Sequence, residues 1–510
     1  MSVLQGKLAR TGKEGNGGAP EAHLLPCLSN SEQRLQQTMD DPVTVVQIGE
    51  GNFLRGFFDW MIHEARCQGI YQGSIAVSQP RPSGKAKLDA LKRQNGQYTL
   101  VMRGLSDGVP VERTEIISVF SQMIDPYSEW DRFLRLAEQP HLQFVISNTT
   151  EAGLVFCPES MTEGEPVESF PGKMTLFLYR RYLTFRGEPD KGLIFLPCEL
   201  LERNGDELRD CILRYCEDWG LPAPFIRWVN EHNRFLNSLV DRIVTGYPDT
   251  EADAWFAEWG YRDDLLCTAE LYHLWAIEAE PELEEKLPLR RAGLNVHWVD
   301  DLTEYRLLKV RLLNGAHTLM TPLALLYGLE HVREVMGHRE LGAFVRRTIE
   351  DEIIPSLPVP EAESRRYAES VYERFLNPFI RHRLSDIAMN SVSKFKVRLL
   401  PSLLYYRDRG ETLPQGLVRA FAGLLRYYRV SRTEKGYEGI SLNGDKYRVN
   451  DDRNVMETFA YVWGQEQTMS WVELARRLLG LENLWGTDLA AIADLSEAVA
   501  GHWERMEMRG

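Results

Sequence analysis

Residues 43–56 read VTVVQIGEGNFLRG, and the order of their chemistry decides the fold. Val43, Thr44, Val45, Val46, Gln47 and Ile48 are a largely β-branched run, suited to a strand buried on both faces of a parallel sheet. Gly49 and Gly51 follow at once, and Phe53, Phe57, Trp60, Met61 and Ala65 then recur at helical spacing. Strand, glycine turn and helix is the context a dinucleotide pyrophosphate requires. Glycines let the backbone approach the phosphates, and the helix start offers unpaired N–H groups at the positive end of its dipole. Gly49, Gly51, Asn52 and Phe53 are therefore candidate cofactor contacts. The third glycine of the G-x-G-x-x-G fingerprint is absent: Leu54 stands there, with Gly56 two residues on.

Downstream the text continues as an α/β domain. A second strand is expected over 74–78, where an acid for the adenosine ribose would follow. The residues are instead Gln79, Pro80, Arg81, Pro82 and Ser83. Arg81 either meets a 2′-phosphate or sits in an exposed proline turn, so NADP stays open beside NAD. Residues 90–127 alternate apolar and polar, with Asp107-Gly108 as a hairpin turn. A strand over 142–146 ends in Ser147-Asn148-Thr149-Thr150-Glu151-Ala152-Gly153. Ligands of open α/β sheets sit at the carboxyl ends of strands, which makes Asn148, Thr149 and Glu151 candidate cofactor or substrate neighbours, or caps of the next element. A strand over 192–197 leads to Asn204-Gly205, a turn or an amide donor, and a helix through Cys216. Residues 225–247 read as helical; 271–278 and 294–299 alternate like strands. His273 and His297 have no second ligand type at metal spacing, and no metal site is expected.

Lys309 to His317 reads KVRLLNGAH, inside an apolar, almost breaker-free helix expected over 303–326. On an α-helix Lys309, Asn314 and His317 spread over roughly 140° of one side. An amine, an amide and an imidazole there suit alcohol–ketone redox chemistry: a proton donor or acceptor, an oxygen ligand and an orienting group. The bland alternative is a solvated lysine, an Asn-Gly interruption and a core histidine. After Leu326 strand runs vanish and amphipathic segments take over, at 341–354, 361–375 and 416–428, with the proline-rich connector 355–360 between the first two.

The spacing of Lys, Asn five on and His eight on resembles the signature of the mannitol dehydrogenase family, the polyol-specific long-chain dehydrogenases. QIGEGNFLRGF and SNTTEAG resemble that family too, especially a branch that reduces hexuronate-derived keto acids. The resemblance spans the chain after its N-terminal extension. It implies an expanded Rossmann-type domain over 43–288 and a mostly α-helical substrate domain over 289–510. It further implies Lys309 as general acid/base, Asn314 and Asn204 as donors to the carbonyl oxygen, and His317 as substrate-positioning residue. Asn237 and Asp241, in a family-like Asn-Ser-x-Val-Asp-Arg-Ile, are expected to face the active site, although an Asp241–Arg242 pairing serves equally. A sugar-acid carboxylate favours arginine, so Arg374 is the first candidate for it, then His382 and Lys396. The resemblance favours NAD as cofactor. Within the family the alternatives are a fructuronate reductase and a mannitol or arabinitol dehydrogenase; outside it, a dinucleotide-binding sensor without turnover, which would not require Lys309, Asn314 and His317 together.

The bulk of the chain agrees. At 510 residues with 44% hydrophobic content it can bury at least two cores. Net charge is −15, from 59 Lys+Arg against 74 Asp+Glu, which argues against nucleic acid or an anionic membrane as partner. A small anionic substrate remains open where local cations outvote the global field. No apolar run is long enough to span a membrane. Seven cysteines without C-x-x-C pairs read as reduced thiols of a cytoplasmic protein. Residues 1–42 read as a flexible, glycine-bearing extension. The sequence leaves the oligomeric state open.

Overall fold

The computed structural model describes residues 37–508 apart from Lys435. The extension expected over 1–42, with Cys27, lies outside the described residues as far as position 36. The opening run forms β1 (Val43–Ile48), every residue buried. With β2 (Ser74–Ser78), β3 (Phe120–Ile124), β4 (Phe144–Ser147), β5 (Ile194–Pro197) and β6 (Arg234–Phe235) it makes a six-stranded sheet of order β3-β2-β1-β4-β5-β6. All five pairings are parallel; Val46 lies between Ala76 and Val145. Alternate side chains enter separate cores. Val45, Ile75, Val77 and Ile146 pack on one face, Val46, Ile48, Ala76 and Val145 on the other. Burial on both faces is why these strands read as continuous apolar text.

The order reverses between β1 and β4, and a ligand crevice opens at such a point beyond the strand ends. It is flanked here by Gly49–Gly51 and Asn148–Thr150. Gly49 has φ +132°, and a Cβ there would lie 3.1 Å from the Asn148 carbonyl oxygen, so the approach of the two strand ends requires glycine. A Cβ at Gly51 would meet nothing within 4 Å. The helix after the turn is broken into Asn52–Arg55 and Phe58–Cys67.

The expected hairpin is Gln97–Ser106 against Val109–Ser118, with Asp107 and Gly108 both at positive φ, as a two-residue turn of matching twist demands. It pairs onward with Cys267–Ala269 in a four-stranded sheet. The reading of 225–247 as helical holds only for Ala223–His232; Ser238–Asp241 and Val244–Gly246 are strands. Short apolar runs do not separate the two states, and pairing of Ser238–Asp241 with Leu274–Glu278 decides this one. Val296–Val299 also pairs with Leu274–Glu278, so sheet pairing runs past the boundary expected at Pro288.

From Thr303 the chain is mostly helical, around one large core that includes Leu312, Leu319, Phe421 and Trp503. The three-stranded sheet Val430–Thr433, Gly436–Ile440 and Lys446–Val449 was not expected. Its strands are short and partly exposed, which leaves little apolar alternation to read. The architecture is thus α/β: a Rossmann-type N-terminal domain and a mostly helical C-terminal domain. No helix among the described residues is long and apolar enough to cross a membrane.

Candidate active site

Lys309 begins a single π-helical turn, Lys309–Leu313, between the α-helical stretches Thr303–Leu308 and Asn314–Leu326. The Asn314 N–H donates to the Lys309 carbonyl, a closure over five residues rather than four. Lys309 points into the junction of the two domains, where its Nζ donates to the Val240 carbonyl at 2.8 Å. Burial, assisted by Arg374 and opposed by Asp241, holds its pKa below the ordinary lysine value. Asn314 is half-buried, and its carboxamide makes no hydrogen bond among the described residues; its backbone carbonyl accepts from Thr318 and Arg398. His317 is buried with Nε2 unpartnered, its ring 4.5 Å from Phe375 and 4.7 Å from His382. Burial first, then His382 and the cations Arg398, Arg374 and Lys394, push its pKa well down, so the imidazole is neutral. Burial lowers His382 as well. His317 and His382 are thus ring neighbours, and Lys309 and His317 both lie within electrostatic reach of Arg374.

Arg374, the first candidate for a substrate carboxylate, is already spent. Its guanidinium donates to both oxygens of Asp241, at 2.8 and 3.0 Å, and both of Glu270, at 3.0 and 2.8 Å, with its face 4.2 Å above the Tyr272 ring. All three groups are buried, and Tyr367 also donates to Asp241 at 3.3 Å. Burial opposes the Asp241 charge, yet Arg374 outweighs it and holds the carboxyl below its usual range; Glu270 is pushed up by burial. Asp241 lies within electrostatic reach of Lys309 and is paired with Arg374 rather than Arg242.

Asn204 is not a free donor either. Its Nδ2 donates to the carbonyls of Pro197, Glu199 and Ser238, each at 3.0 Å, and its Oδ1 accepts from the Ser238 N–H at 2.9 Å. It is fully buried and fastens the end of β5 to the strand that carries Val240 and Asp241. Asn237 is likewise structural: its Oδ1 accepts the N–H groups of Gly205 and Asp206 at a helix start, and its Nδ2 donates to Glu278. Lys396 packs over Gly486, on the helix face away from the site. On the other side of that helix Lys394 donates to the Ile387 carbonyl and Arg398 to Thr318 Oγ1, and neither has a carboxylate within ion-pairing distance among the described residues. Burial lowers both pKa values.

At the sheet end, Asn148 donates to the Cys198 carbonyl at 2.8 Å, and Thr149 donates twice to Glu199, from N–H and hydroxyl. Thr150 is held at φ +78°, a conformation a β-branched residue adopts only under constraint. Glu151 is exposed. The Asn52 side chain accepts from Arg55 and crowds Gly246, which leaves its backbone to face the crevice; Phe53 stacks on Phe57. Glu199 and Glu270 were missed in the sequence, because a buried acid has no signature apart from the partners that keep it. Lys394 and Arg398 did carry one, a four-residue spacing on one helix face. Among the described residues no cluster of three His, Cys, Asp or Glu side chains is placed to hold a metal.

A dinucleotide-type parallel sheet joined to a mostly helical domain that carries a buried lysine and a buried imidazole is the build of a two-domain oxidoreductase. Residues 43–291 match the mannitol dehydrogenase Rossmann domain and residues 301–507 the mannitol dehydrogenase C-terminal domain. The chain is 44% identical over 459 residues to the altronate oxidoreductase of Bacillus subtilis (strain 168), covering 90% of this chain and 92% of that one. It is 40% identical over 472 residues to the altronate oxidoreductase of Pectobacterium atrosepticum, covering 92% and 95%. In fold it is similar to Pseudomonas fluorescens mannitol 2-dehydrogenase in ternary complex with NAD and D-mannitol (TM-score 0.63, 21% identity, 94% and 97% covered). It is also similar to a substrate-free D-sorbitol dehydrogenase (TM-score 0.72, 20% identity, 92% and 95% covered). The chain belongs to the mannitol dehydrogenase family.

Two substitutions test this geometry. Arg374→Ala leaves two buried carboxylates unpaired and should cost about 3–5 kcal/mol in urea unfolding, with little rescue by Arg374→Lys, which lacks the fork for both acids. Asn204→Ala should lower the melting temperature at a cost of about 1–3 kcal/mol for each polar group orphaned. An unchanged melting temperature with turnover abolished would return Asn204 to the oxyanion role.

Proposed function

We propose that the protein interconverts D-tagaturonate and D-altronate with NAD(H), Lys309 acting as general acid and base. The observation that carries this reading is Lys309 itself: an amine buried at the domain junction, fixed by the Val240 carbonyl, with its pKa drawn down toward working range. The altronate oxidoreductase relatives support the substrate, and the glycine turn and switch-point crevice fit a dinucleotide. Gly49, Gly51, the backbone of Asn52 and Phe53, and the loop Asn148–Glu151 would hold it. Bound NADH supplies the hydride that forms the new C–H bond at the ketone carbon. Protonated Lys309 gives its proton to the carbonyl oxygen as that oxygen gains charge, and the free Asn314 carboxamide donates to the same oxygen. Neutral His317 orients a neighbouring hydroxyl through Nε2. In the oxidative direction neutral Lys309 takes the hydroxyl proton.

With Arg374 spent, the substrate carboxylate falls to Lys394 and Arg398, assisted by His382. These two cations lie within electrostatic reach of His317 with no carboxylate at ion-pairing distance among the described residues, Asp451 acting on Lys394 only from farther off, and an anionic ligand relieves both.

Lys309→Ala should abolish turnover and leave NADH binding, followed by fluorescence, nearly unchanged. Because burial lowers the Lys309 pKa, altronate oxidation should rise with pH and level off below the ordinary lysine value. Tagaturonate reduction should fall through the same pKa. Arg398→Ala should raise KM for tagaturonate about tenfold or more, the scale of one charge-assisted hydrogen bond, and barely alter KM for a neutral ketose such as fructose. Equal losses on both substrates would remove the carboxylate assignment. A wild-type preference for fructuronate or fructose would move the reading to those relatives.

A further inference from the structure

The residue after β2 is Gln79, where a dinucleotide-binding sheet ordinarily places its ribose-reading acid. The structure brings a carboxylate to that place from the neighbouring strand. Glu50 lies between Gly49 and Gly51 at the end of β1, and its side chain crosses toward the start of the next helix. An ideal Cβ at Gly84 would lie 2.6 Å from Glu50 Oε1 and 2.8 Å from the Gln79 Cβ, so the three residues share one small space that only a glycine at 84 keeps clear. Glu50 is 7% exposed and Gln79 1%. Two acceptors there are buried and unpartnered among the described residues, Glu50 Oε2 and Gln79 Oε1. The Gln79 amide is committed to Asp125 at the end of β3. Desolvation raises the Glu50 pKa, opposed by its own backbone N–H and, at a distance, by Lys87, Arg55 and Arg81. A pair of buried acceptors without donors is costly unless a ligand brings the donors. A diol does so with two O–H groups, and a phosphate brings only more acceptors and charge.

We infer that Glu50, with Gln79, reads the 2′- and 3′-hydroxyls of the adenosine ribose and makes the protein select NAD(H) against NADP(H). The inference rests on the dinucleotide reading above and adds the residue that decides between the two cofactors. The acid sits inside the glycine turn rather than at the end of β2, so the pyrophosphate and ribose contacts come from one loop. Arg81, the sole sequence candidate for a 2′-phosphate, is exposed at the turn and makes no hydrogen bond among the described residues. The acid therefore sets the choice.

The test is equilibrium binding of NADH and of NADPH, followed by nicotinamide fluorescence without sugar substrate, for wild type, Glu50→Gln and Gly84→Ala. Wild type should bind NADH at least tenfold more tightly than NADPH. Glu50→Gln should shrink that ratio tenfold or more, mainly by weakening NADH. Gly84→Ala, whose methyl enters the same space, should weaken NADH as well. Thermal melts within a few degrees of wild type would assign these changes to the subsite. Wild type favouring NADPH, or a ratio unmoved in Glu50→Gln, overturns the assignment of Glu50 while leaving the dehydrogenase reading intact. Wild type that binds neither nucleotide sinks both.

Discussion

Arg374 sits between two buried carboxylates contributed by the other half of the chain, and the relation of the two domains depends on that contact. Removing three charges from water is expensive, and a guanidinium repays it because its planar fork satisfies Asp241 and Glu270 at once. The trio carries one net negative charge, which acts on two neighbouring cations, Lys309 on the adjoining π-turn beside Asp241 and Arg242 beside Glu270. Two buried acids alone would hold Lys309 firmly protonated. Arg374 opposes the pull of Asp241, and burial, the largest influence, draws the amine down. The same contact that fastens the domains therefore tunes the lysine proposed above as the proton carrier.

Around this pivot, two amides that the sequence offers as site residues and one acid that it does not mark serve as fasteners. Asn204 ties β5 to the strand of Val240, Asn237 caps the helix that Asn204 begins, and Glu199 grips the Thr149 backbone and hydroxyl. Each fixes something the chemistry needs: the carbonyl that holds Lys309, the entry of the cleft, the loop beyond β4. A buried polar side chain with every valence used adds rigidity to a site, whereas one with a valence open is available to a ligand. By that criterion Asn314, His317 and Glu50 are the open groups, and Asn204, Asn237 and Arg374 are closed.

This criterion also marks where the sequence was legible. Val43–Ile48, the glycine turn, Ser74–Ser78 and the Asp107-Gly108 hairpin were readable because local chemistry alone determines them: β-branching, positive φ, period two. The motif Lys309, Asn314 and His317 was readable because its residues lie on one element. Arg374 was not, since whether an arginine faces a ligand or two acids is settled by residues more than a hundred positions away. Ser238–Asp241 was misread as helix because its partner strand, not its own text, supplies the period. Lys396 was preferred to Lys394 and Arg398 although a helix sets residues two apart on different sides and residues four apart on one.

The π-turn explains why the motif has the spacing it has. On a regular α-helix, residues five apart diverge by about 140°, too far for an amine and a carboxamide to reach one oxygen. Closing the backbone from Asn314 to Lys309 over five residues widens that single turn and brings the two side chains toward the same side. His317, three residues after Asn314 on the α-helix that resumes there, follows on the same face. An inserted residue in the helix is a local cost in backbone regularity, and it is met by tight packing of Leu312 and Leu313 into the core below. Lys309 and Asn314 thus leave the helix on neighbouring sides through the backbone itself, before any side chain chooses a rotamer.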